Sequence, residues 1–240
     1  MIAIKTENLT KKYKDTVAVD NLSLLIKRGE LFSLLGVNGA GKSTTIKMLS
    51  CLTLPDSGNA FLEGKSILNE SADIKPLIAV SPQETAVATG LTVLENLNLM
   101  CGIYGLKGEV KEKKIAELLN LLGLNLVSKK KVGKLSGGYA RRLSIALALI
   151  GSPKILFLDE PTLGLDVIAR SDLWEIINSL KGEVTIILTT HYMAEAEALS
   201  DRIGIMKDGK LLTVGTAAEI KAATGTDNFE EAFIKTVKGV

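Results

Sequence analysis

A glycine-rich segment, residues 36–44 with the sequence GVNGAGKST, follows the apolar run 31–35 and leads into a stretch with helical spacing at 43–52. Strand, glycine-rich turn and helix in this order form the local unit from which parallel α/β sheets are built. The glycines allow backbone N–H groups to turn toward one point, and the helix N-terminus attracts negative charge. The segment therefore predicts an α/β fold that carries a phosphate-binding loop.

The residues of this loop have distinct expected contacts. Lys42 is placed to reach the β- and γ-phosphates of a nucleoside triphosphate, and the Ser43 hydroxyl to hold Mg²⁺. Thr44 is expected to contact a neighbouring phosphate. The other residues expected to bind the nucleotide are Gly36, Asn38, Gly39, Ala40 and Gly41.

The apolar run 155–158 ends in two consecutive carboxylates, Asp159 and Glu160. Successive strand side chains point to opposite faces, but the chain can turn where the strand ends, so both acids can reach one site. We expect Asp159 to bind Mg²⁺ and Glu160 to polarise the attacking water, because phosphoryl transfer depends mainly on orientation and electrostatics. Such a pair can also be only a loop or a helix cap. The phosphate-binding loop upstream and Pro161-Thr162 directly after it favour the catalytic interpretation.

Ser136-Gly137-Gly138 precedes a stretch with an apolar helical face and forms a second candidate phosphate site. A serine at a helix N-terminus, followed by two glycines, exposes N–H donors and a hydroxyl to an anion. Alone, the segment would be an ordinary capped helix. With the loop at 36–44 it gives the chain two phosphate sites, which one nucleotide cannot easily occupy.

Composition argues against several classes of protein. The 240 residues include 29 basic and 27 acidic side chains, a formal charge of +2, so bulk charge gives no reason to expect a nucleic-acid partner. Two cysteines are too few for a disulfide framework and lack CxxC spacing, which favours a reducing cytoplasm. No uncharged run approaches the roughly 20 apolar residues of a membrane-spanning helix, so we expect that the chain does not cross a bilayer by itself.

Periodicity predicts the order of the elements. Short strands are expected at 2–6, 22–27 and 31–35 as a small β-rich layer, with turns at Asp20-Asn21 and 28–30. Helical periodicity from about 85 to 135 predicts an inserted helical subdomain. Runs at 155–158 and 184–189 that are apolar almost without interruption predict strands buried on both faces of a parallel sheet. A hairpin around 207–209 and a helical tail follow.

With these elements the sequence resembles the ATP-binding subunit of an ABC transporter, nearly end to end. The resemblance implies an α/β fold with a P-loop NTPase (RecA-like) core, an N-terminal antiparallel β layer and an inserted α-helical subdomain. The implied boundaries are 1–84 and 151–240 for the core with its β subdomain and tail, and 85–150 for the helical subdomain. In the family, the segment that matches 135–139 contacts the ATP held by the partner subunit, so two chains close head-to-tail around two nucleotides.

The resemblance also assigns single residues. Tyr13 matches the aromatic residue that stacks on adenine, and Gln83 matches the glutamine that senses Mg²⁺ and the γ-phosphate. Asp166 matches the loop that crosses the dimer interface. His191, the only histidine of the sequence, matches the switch residue that contacts the γ-phosphate. A lone surface tyrosine beside lysines, and a surface or satisfied core histidine, are the plainer alternatives for Tyr13 and His191.

Two positions depart from the family pattern. Tyr139 stands where glutamine is usual, and Val167 stands where proline often follows the loop aspartate. Tyr139 bears on the strength of the contact between subunits more than on its existence.

Segments at 91–97, 102–105 and 191–197 resemble the subunits that serve drug and polysaccharide exporters. The implied function is ATP hydrolysis by a homodimer or heterodimer that drives solute movement, expected to be export, through separate integral membrane permease subunits. The implied ligands are ATP and Mg²⁺, and the implied location is peripheral, on the cytoplasmic face of the cell membrane. The alternatives are a non-transport ABC ATPase, such as a soluble assembly factor, and a regulatory module with negligible turnover.

Overall fold

The computed structural model describes residues 1–239, which form ten β-strands and nine α-helices. The strands are β1 (Ile2–Tyr13), β2 (Thr16–Lys27), β3 (Leu31–Leu35), β4 (Ser57–Leu62), β5 (Lys65–Ser66), β6 (Ile78–Ser81), β7 (Ile155–Asp159), β8 (Thr185–Thr190), β9 (Arg202–Lys207) and β10 (Lys210–Gly215). The helices are α1 (Lys42–Leu49), α2 (Ser71–Ile74), α3 (Val93–Ile103), α4 (Gly108–Leu121), α5 (Gly137–Leu149), α6 (Val167–Ser179), α7 (Met193–Leu199), α8 (Ala217–Thr224) and α9 (Phe229–Lys238).

Six strands form the central sheet in the order β10-β9-β3-β8-β7-β6. Strands β9, β3, β8, β7 and β6 are parallel, and β10 is antiparallel to β9. Every residue of β3 and β8 is buried. For β8, this is the burial that the nearly uninterrupted apolar run at 184–189 predicts for a strand inside a parallel sheet. The carboxyl ends of β3, β7 and β8 meet at one edge of this sheet, where α/β folds bind ligands.

The antiparallel layer is the second sheet, with the order β2-β1-β4-β5. Strands β1 and β2 are longer than the sequence predicts, and their hairpin reverses at Lys14 and Asp15. Strand β3, which the sequence places in this layer, lies instead in the central sheet, because its apolar residues are buried on both faces. The predicted combination of an α/β core and an antiparallel layer is confirmed.

The turn predicted at Asp20-Asn21 is wrong, since β2 continues through both residues. Asn21 has a φ of 50°, and its N–H donates to Thr10 Oγ1 at 3.0 Å. The pairing of β1 with β2 is irregular in this region. The turn-forming residues therefore mark a bulge in a long hairpin and not the end of a strand.

Helices α3 and α4 lie within the stretch 85–135 for which the sequence predicts helical periodicity, and α5 follows it. Helix α3 begins in a capping box, in which the Thr92 hydroxyl accepts from the N–H of Glu95 and the Glu95 carboxylate accepts from the N–H of Thr92. The buried residues of these helices, such as Leu97 and Leu143, form one apolar cluster with Leu156 and its neighbours in the central sheet. This shared core fixes the start of α5 relative to the ends of the strands.

The C-terminal part follows the prediction. Strands β9 and β10 form a hairpin whose turn residues, Asp208 and Gly209, have φ of 48° and 78°, which two-residue hairpins favour. Helices α8 and α9 pack beside β9 through a small cluster that includes Phe229 and Phe233. Among residues 1–239, the helices are all too short or too polar to span a membrane.

Candidate active site

The predicted phosphate-binding loop joins the carboxyl end of β3 to the N-terminus of α1. Gly39 and Gly41 have φ of 83° and 103°, conformations that glycine adopts without strain. Helix α1 begins at Lys42, so its first-turn N–H groups, including those of Ser43 and Thr44, have no intrahelical carbonyl to bind. These N–H groups and the positive end of the helix provide donors for an anion.

Close backbone contacts require glycine at two positions of the loop. A Cβ on Gly41 would lie 2.3 Å from the carbonyl oxygen of Ala18, and a Cβ on Gly36 would lie 2.5 Å from that of Met206. A Cβ on Gly39 would have no atom within 4 Å. The loop is therefore tightly packed against β2 and β9 and open at Gly39, a shape that fits a phosphate group held by backbone N–H groups.

Lys42 is buried inside the loop. Its Nζ donates to the carbonyl oxygens of Gly36 at 2.7 Å and Val37 at 3.3 Å, and it lies 3.6 Å from Glu160 Oε1. Burial lowers the pKa of Lys42, and the nearby Glu160 and Asp159 carboxylates oppose that change. A phosphate oxygen that reached this desolvated ammonium would form a strong charge-assisted hydrogen bond.

Asp159 ends β7 opposite Ser43. The Ser43 hydroxyl donates to Asp159 Oδ1 at 3.2 Å, and the hydroxyl of Thr189 on β8 donates to the same oxygen. The bond from Thr189 fixes the orientation of the carboxylate, as outer contacts do around metal ligands. Hydroxyl and carboxylate oxygens are ligands that Mg²⁺ prefers, so the donor set fits the predicted metal.

Glu160 turns out of the strand with a φ of 47°. Its N–H donates to the carbonyl oxygen and to the hydroxyl of Thr189, at 3.0 and 3.1 Å. Its Oε2 lies 3.1 Å from His191 Nδ1, just beyond the end of β8. The turn thus brings Glu160 to the same site as Asp159, as the argument from the sequence requires.

A cavity of about 590 Å³ opens over the loop, a volume within the range of pockets that bind small molecules and cofactors. The predicted residues that line it are Asn38, Gly39, Ala40, Gly41, Lys42, Ser43, Thr44, Gln83, Glu160 and His191. Thr16, Ala18 and Leu163 also line it, although the sequence did not mark them. Thr16 and Ala18 belong to β2 and reach the cavity only through tertiary contacts, which a local pattern does not reveal.

Tyr13 is not among the residues that line this cavity. Its side chain is exposed at the end of β1, and the ammonium of Lys11 lies 5.5 Å from the centre of its ring. Across the hairpin it pairs with Thr16, which does line the cavity. The stacking of Tyr13 on adenine stays a prediction.

Ser136, Gly137 and Gly138 also lie outside the cavity lining, at the start of α5. Ser136 is the exposed N-cap residue, and its side chain makes no capping hydrogen bond. A Cβ on Gly138 would lie 3.1 Å from the Cβ of Ala169, whose N–H donates to the Asp166 carboxylate at the start of α6. Apart from Tyr13, the predicted residues therefore form two groups, one at the cavity and one at the neighbouring starts of α5 and α6.

A buried carboxyl that the sequence did not mark, Glu195, lies on α7, the helix that follows His191. Glu195 Oε1 accepts from the indole N–H of Trp174 at 3.2 Å, and Oε2 makes no hydrogen bond to any group within residues 1–239. Burial raises the pKa of Glu195, and the neighbouring Thr190, Thr162 and Trp174 side chains oppose the rise. Nothing in the local pattern of α7 distinguishes this glutamate from exposed ones.

Comparison with known proteins adds to this geometry. Residues 19–163 match the model of a protein family described as ABC transporter. The chain is 40% identical over 241 residues to the probable multidrug ABC transporter ATP-binding protein YbhF of Escherichia coli (strain K12). The alignment covers 98% of this chain and 41% of that protein. It is also 40% identical over 238 residues to the linearmycin resistance ATP-binding protein LnrL of Bacillus subtilis (strain 168), covering 99% of this chain and 76% of that protein.

A solved structure shares the fold. It is described as the dimeric structure of a post-hydrolysis state of the ATP-binding cassette MJ0796 bound to ADP and Pi. It superposes with a TM-score of 0.79 and 30% sequence identity, over 89% of this chain and 98% of that one. The likeness extends to nearly the whole of the solved chain.

Proposed function

This chain belongs to the ABC transporter family, and we propose that it binds and hydrolyses ATP to drive solute transport. The observation that carries the proposal is the convergence of Lys42, Asp159, Glu160 and His191 at the carboxyl ends of three parallel strands, beside one cavity. A phosphate-binding loop, an oxygen donor pair and a carboxylate in contact with a histidine are the groups that phosphoryl transfer to water requires.

In the proposed site, the loop at 36–44 binds the phosphates, and Lys42 exchanges its contact with Glu160 for the β- and γ-phosphates. Ser43 and Asp159, together with Gln83, would hold Mg²⁺, which neutralises phosphate charge when it is bound. The support is the distance of 3.2 Å between the Ser43 hydroxyl and the Asp159 carboxylate.

Glu160 polarises the attacking water in this proposal, and His191 orients Glu160 and contacts the γ-phosphate. Their separation of 3.1 Å allows the ring N–H to donate to the carboxylate while the other carboxylate oxygen faces the water. Tyr13 is the proposed adenine contact, since it adjoins Thr16 at the cavity.

We further propose that two ATP-binding subunits, identical or different, close around two nucleotides. Ser136, Gly137, Gly138 and Asp166 would then contact the ATP held by the partner chain. Ser136, Gly137 and Asp166 are exposed at the starts of α5 and α6, away from the cavity of their own chain, which supports this role. The dimeric arrangement of the solved cassette gives further support.

The transport role is proposed by analogy with the relatives. Their names, multidrug transporter and linearmycin resistance, favour export through separate membrane permease subunits, with this chain on the cytoplasmic face of the membrane. Residues 85–150 would act as the helical subdomain and the remainder as the core.

A soluble assembly factor of the same family is the alternative. After detergent extraction, co-purification with a multi-span protein would support transport, and recovery solely with soluble assembly proteins would contradict it.

Glu160→Gln tests the proposed hydrolysis. Glutamine keeps the binding groups and loses the charge that activates water, so ATP affinity should be retained while turnover falls by about 10²- to 10⁴-fold. Size-exclusion chromatography in ATP and Mg²⁺ should then show a trapped dimer. Glu175→Gln, on the exposed side of α6, is the matched control and should leave turnover and the elution in size-exclusion chromatography as in the wild type. A Glu160→Gln chain that is monomeric at every concentration and turns over normally would refute the role of Glu160.

A further inference from the structure

Arg141 is a buried arginine one turn into α5, and its guanidinium forms hydrogen bonds to a loop that is distant in the sequence. Only 5% of the residue is exposed. Its Nη1 donates to the carbonyl oxygen of Pro82 at 2.7 Å, and its Nη2 donates to that of Gln83 at 2.6 Å. The planar guanidinium fork suits two consecutive acceptors, so it fixes the backbone at the point where β6 ends and the loop begins.

Burying the charged side chain of Arg141 costs free energy that an uncharged side chain of similar size would not cost. Within residues 1–239, Arg141 forms no salt bridge, whereas its neighbour Arg142 pairs with Asp172 on α6 at 2.6 Å. Burial lowers the pKa of Arg141, and the Asp159 carboxylate opposes that change. An apolar side chain would fill the same volume without the cost of removing a cation from water. The two bonds to the loop are therefore the specific contribution of Arg141.

A second bond joins the same face of α5 to β6. The hydroxyls of Ser144, one turn beyond Arg141, and Ser81, the last residue of β6, are 3.0 Å apart, and both side chains are buried. Residues three apart lie on one face of a helix, so Ser144 continues the contact that Arg141 begins. Helix α5 is thus fixed along the end of β6 and the start of the loop.

The far end of the loop is bound to the segment just before α5. The N–H of Gly133 donates to the carbonyl oxygen of Thr89 at 3.0 Å, and the N–H of Val132 donates to that of Leu91 at 2.9 Å. Gly133 precedes Ser136 by three residues. The loop 82–91 is therefore held from both sides of Ser136, by Gly133 before it and by Arg141 after it.

We propose that Arg141 is a positioning residue that makes Gln83 and Ser136 of one chain move as a unit. The inference rests on the proposed function, in which Ser136 contacts the ATP of the partner chain. Gln83 lines the cavity of its own chain. When ATP on the partner orders the start of α5, Arg141 transmits that position to Gln83 and so to the second ATP. The two sites of a dimer are coupled through Arg141 in each chain.

Hydrogen exchange of the nucleotide-free chain tests the mechanical part of the proposal. Arg141→Gln removes the fork, so amides at 84–91 should exchange about tenfold faster, because local opening no longer breaks the two bonds. Arg142→Gln is the matched control, an adjacent arginine on the same helix, and should leave exchange at 84–91 unchanged. Equal exchange in the two variants would overturn the positioning role.

Kinetics test the coupling. Arg141→Gln should lower kcat by about tenfold, which corresponds to about 1.4 kcal/mol, and should abolish cooperativity in ATP concentration, while the Kd of isolated chains for ATP stays at the wild-type value. Arg141→Lys retains the charge but not the fork, so both kcat and cooperativity should fall in the same direction. It also replaces Arg141→Gln if that variant does not fold.

The possible failures of the two proposals give different results. If the wild-type chain neither hydrolyses ATP nor yields a dimer in the Glu160→Gln background, the proposed function fails, whatever the exchange at 84–91. If the wild type hydrolyses ATP cooperatively and Arg141→Lys matches it in kcat, cooperativity and exchange, the fork has no positioning role and the inference fails alone.

Discussion

We expect Glu195→Gln to raise the free energy of unfolding at neutral pH. The wild-type carboxyl is buried on α7, with one oxygen bonded to Trp174 and the other without a partner in the described part of the chain. Burial raises the pKa of Glu195 because the charged form loses its hydration. Glutamine removes the charge, keeps an oxygen for the indole N–H, and supplies an amide close to Thr162, whose hydroxyl is also buried and unbonded within residues 1–239.

The sign of the pH dependence follows from the raised pKa of Glu195. The folded chain binds this proton more tightly than the unfolded chain does. The stability that it contributes is fully present below the ordinary glutamate pKa and is lost as pH rises through the raised folded pKa. The advantage of glutamine should therefore grow with pH from the ordinary glutamate range upward and vanish in acid.

The size of the effect follows from the unbonded oxygen. Leaving a buried polar group without a partner costs about 1–3 kcal/mol. For a chain of this length, each kcal/mol shifts Tm by about 2–4 °C, so the expected rise at neutral pH is roughly 2–12 °C.

Thermal unfolding followed by circular dichroism from about pH 5 to about pH 8 measures this difference. Glu197→Gln is the matched control on the same helix, because Glu197 forms an exposed ion pair with Lys221 at 2.9 Å. Its effect should stay below about 1 kcal/mol and change little across the pH range. A Glu195→Gln chain that melts below the wild type at the upper end of this range, or a difference that does not vary with pH, would refute the reasoning.

Two further substitutions test the two groups of site residues. Gly41→Ala should weaken ATP binding by more than about tenfold, because its Cβ would meet the Ala18 carbonyl oxygen at 2.3 Å in a backbone with a φ of 103°. Gly39→Ala, where the added Cβ has room, should lose less ATP affinity in a titration with a fluorescent ATP analogue. Equal losses of affinity in the two variants would contradict the steric argument. Ser136→Arg should block phosphate release from ATP while isolated chains bind ATP normally; equal loss of both would place Ser136 in contact with the nucleotide of its own chain.

The features that the sequence predicts well are those with a local cause. The loop at 36–44 combines glycine spacing with a strand before it and a helix after it, and all three depend on neighbouring residues. Strands β7 and β8 are mostly apolar because both of their faces are buried, so length and composition identify them. Asp159 at the end of β7 and Glu160 after it then lie at the edge where the parallel strands end.

The features that the sequence predicts poorly depend on distant contacts. Asp20 and Asn21 have turn propensity, but pairing with β1 over a long hairpin overrides it. Strand β6 has only four residues, too few for a periodic signal. The hydrogen bonds from Arg141 join residues that are 58 and 59 positions apart in the sequence. At that separation, no sequence pattern indicates that Gln83 and Arg141 interact. The division of the chain at residues 85 and 150 stays a prediction.

The separation of the two groups of site residues has a physical consequence. Ser136 lies outside the lining of the cavity over Lys42, and its hydroxyl does not cap its own helix. The first-turn N–H groups of α5 also have no intrahelical acceptor, so this helix end can bind an anion that another molecule brings. If that molecule is a second copy with ATP over its own Lys42, each nucleotide receives donors from both chains. In the proposed mechanism, ATP binding then strengthens the dimer, and hydrolysis removes the γ-phosphate that the two chains share.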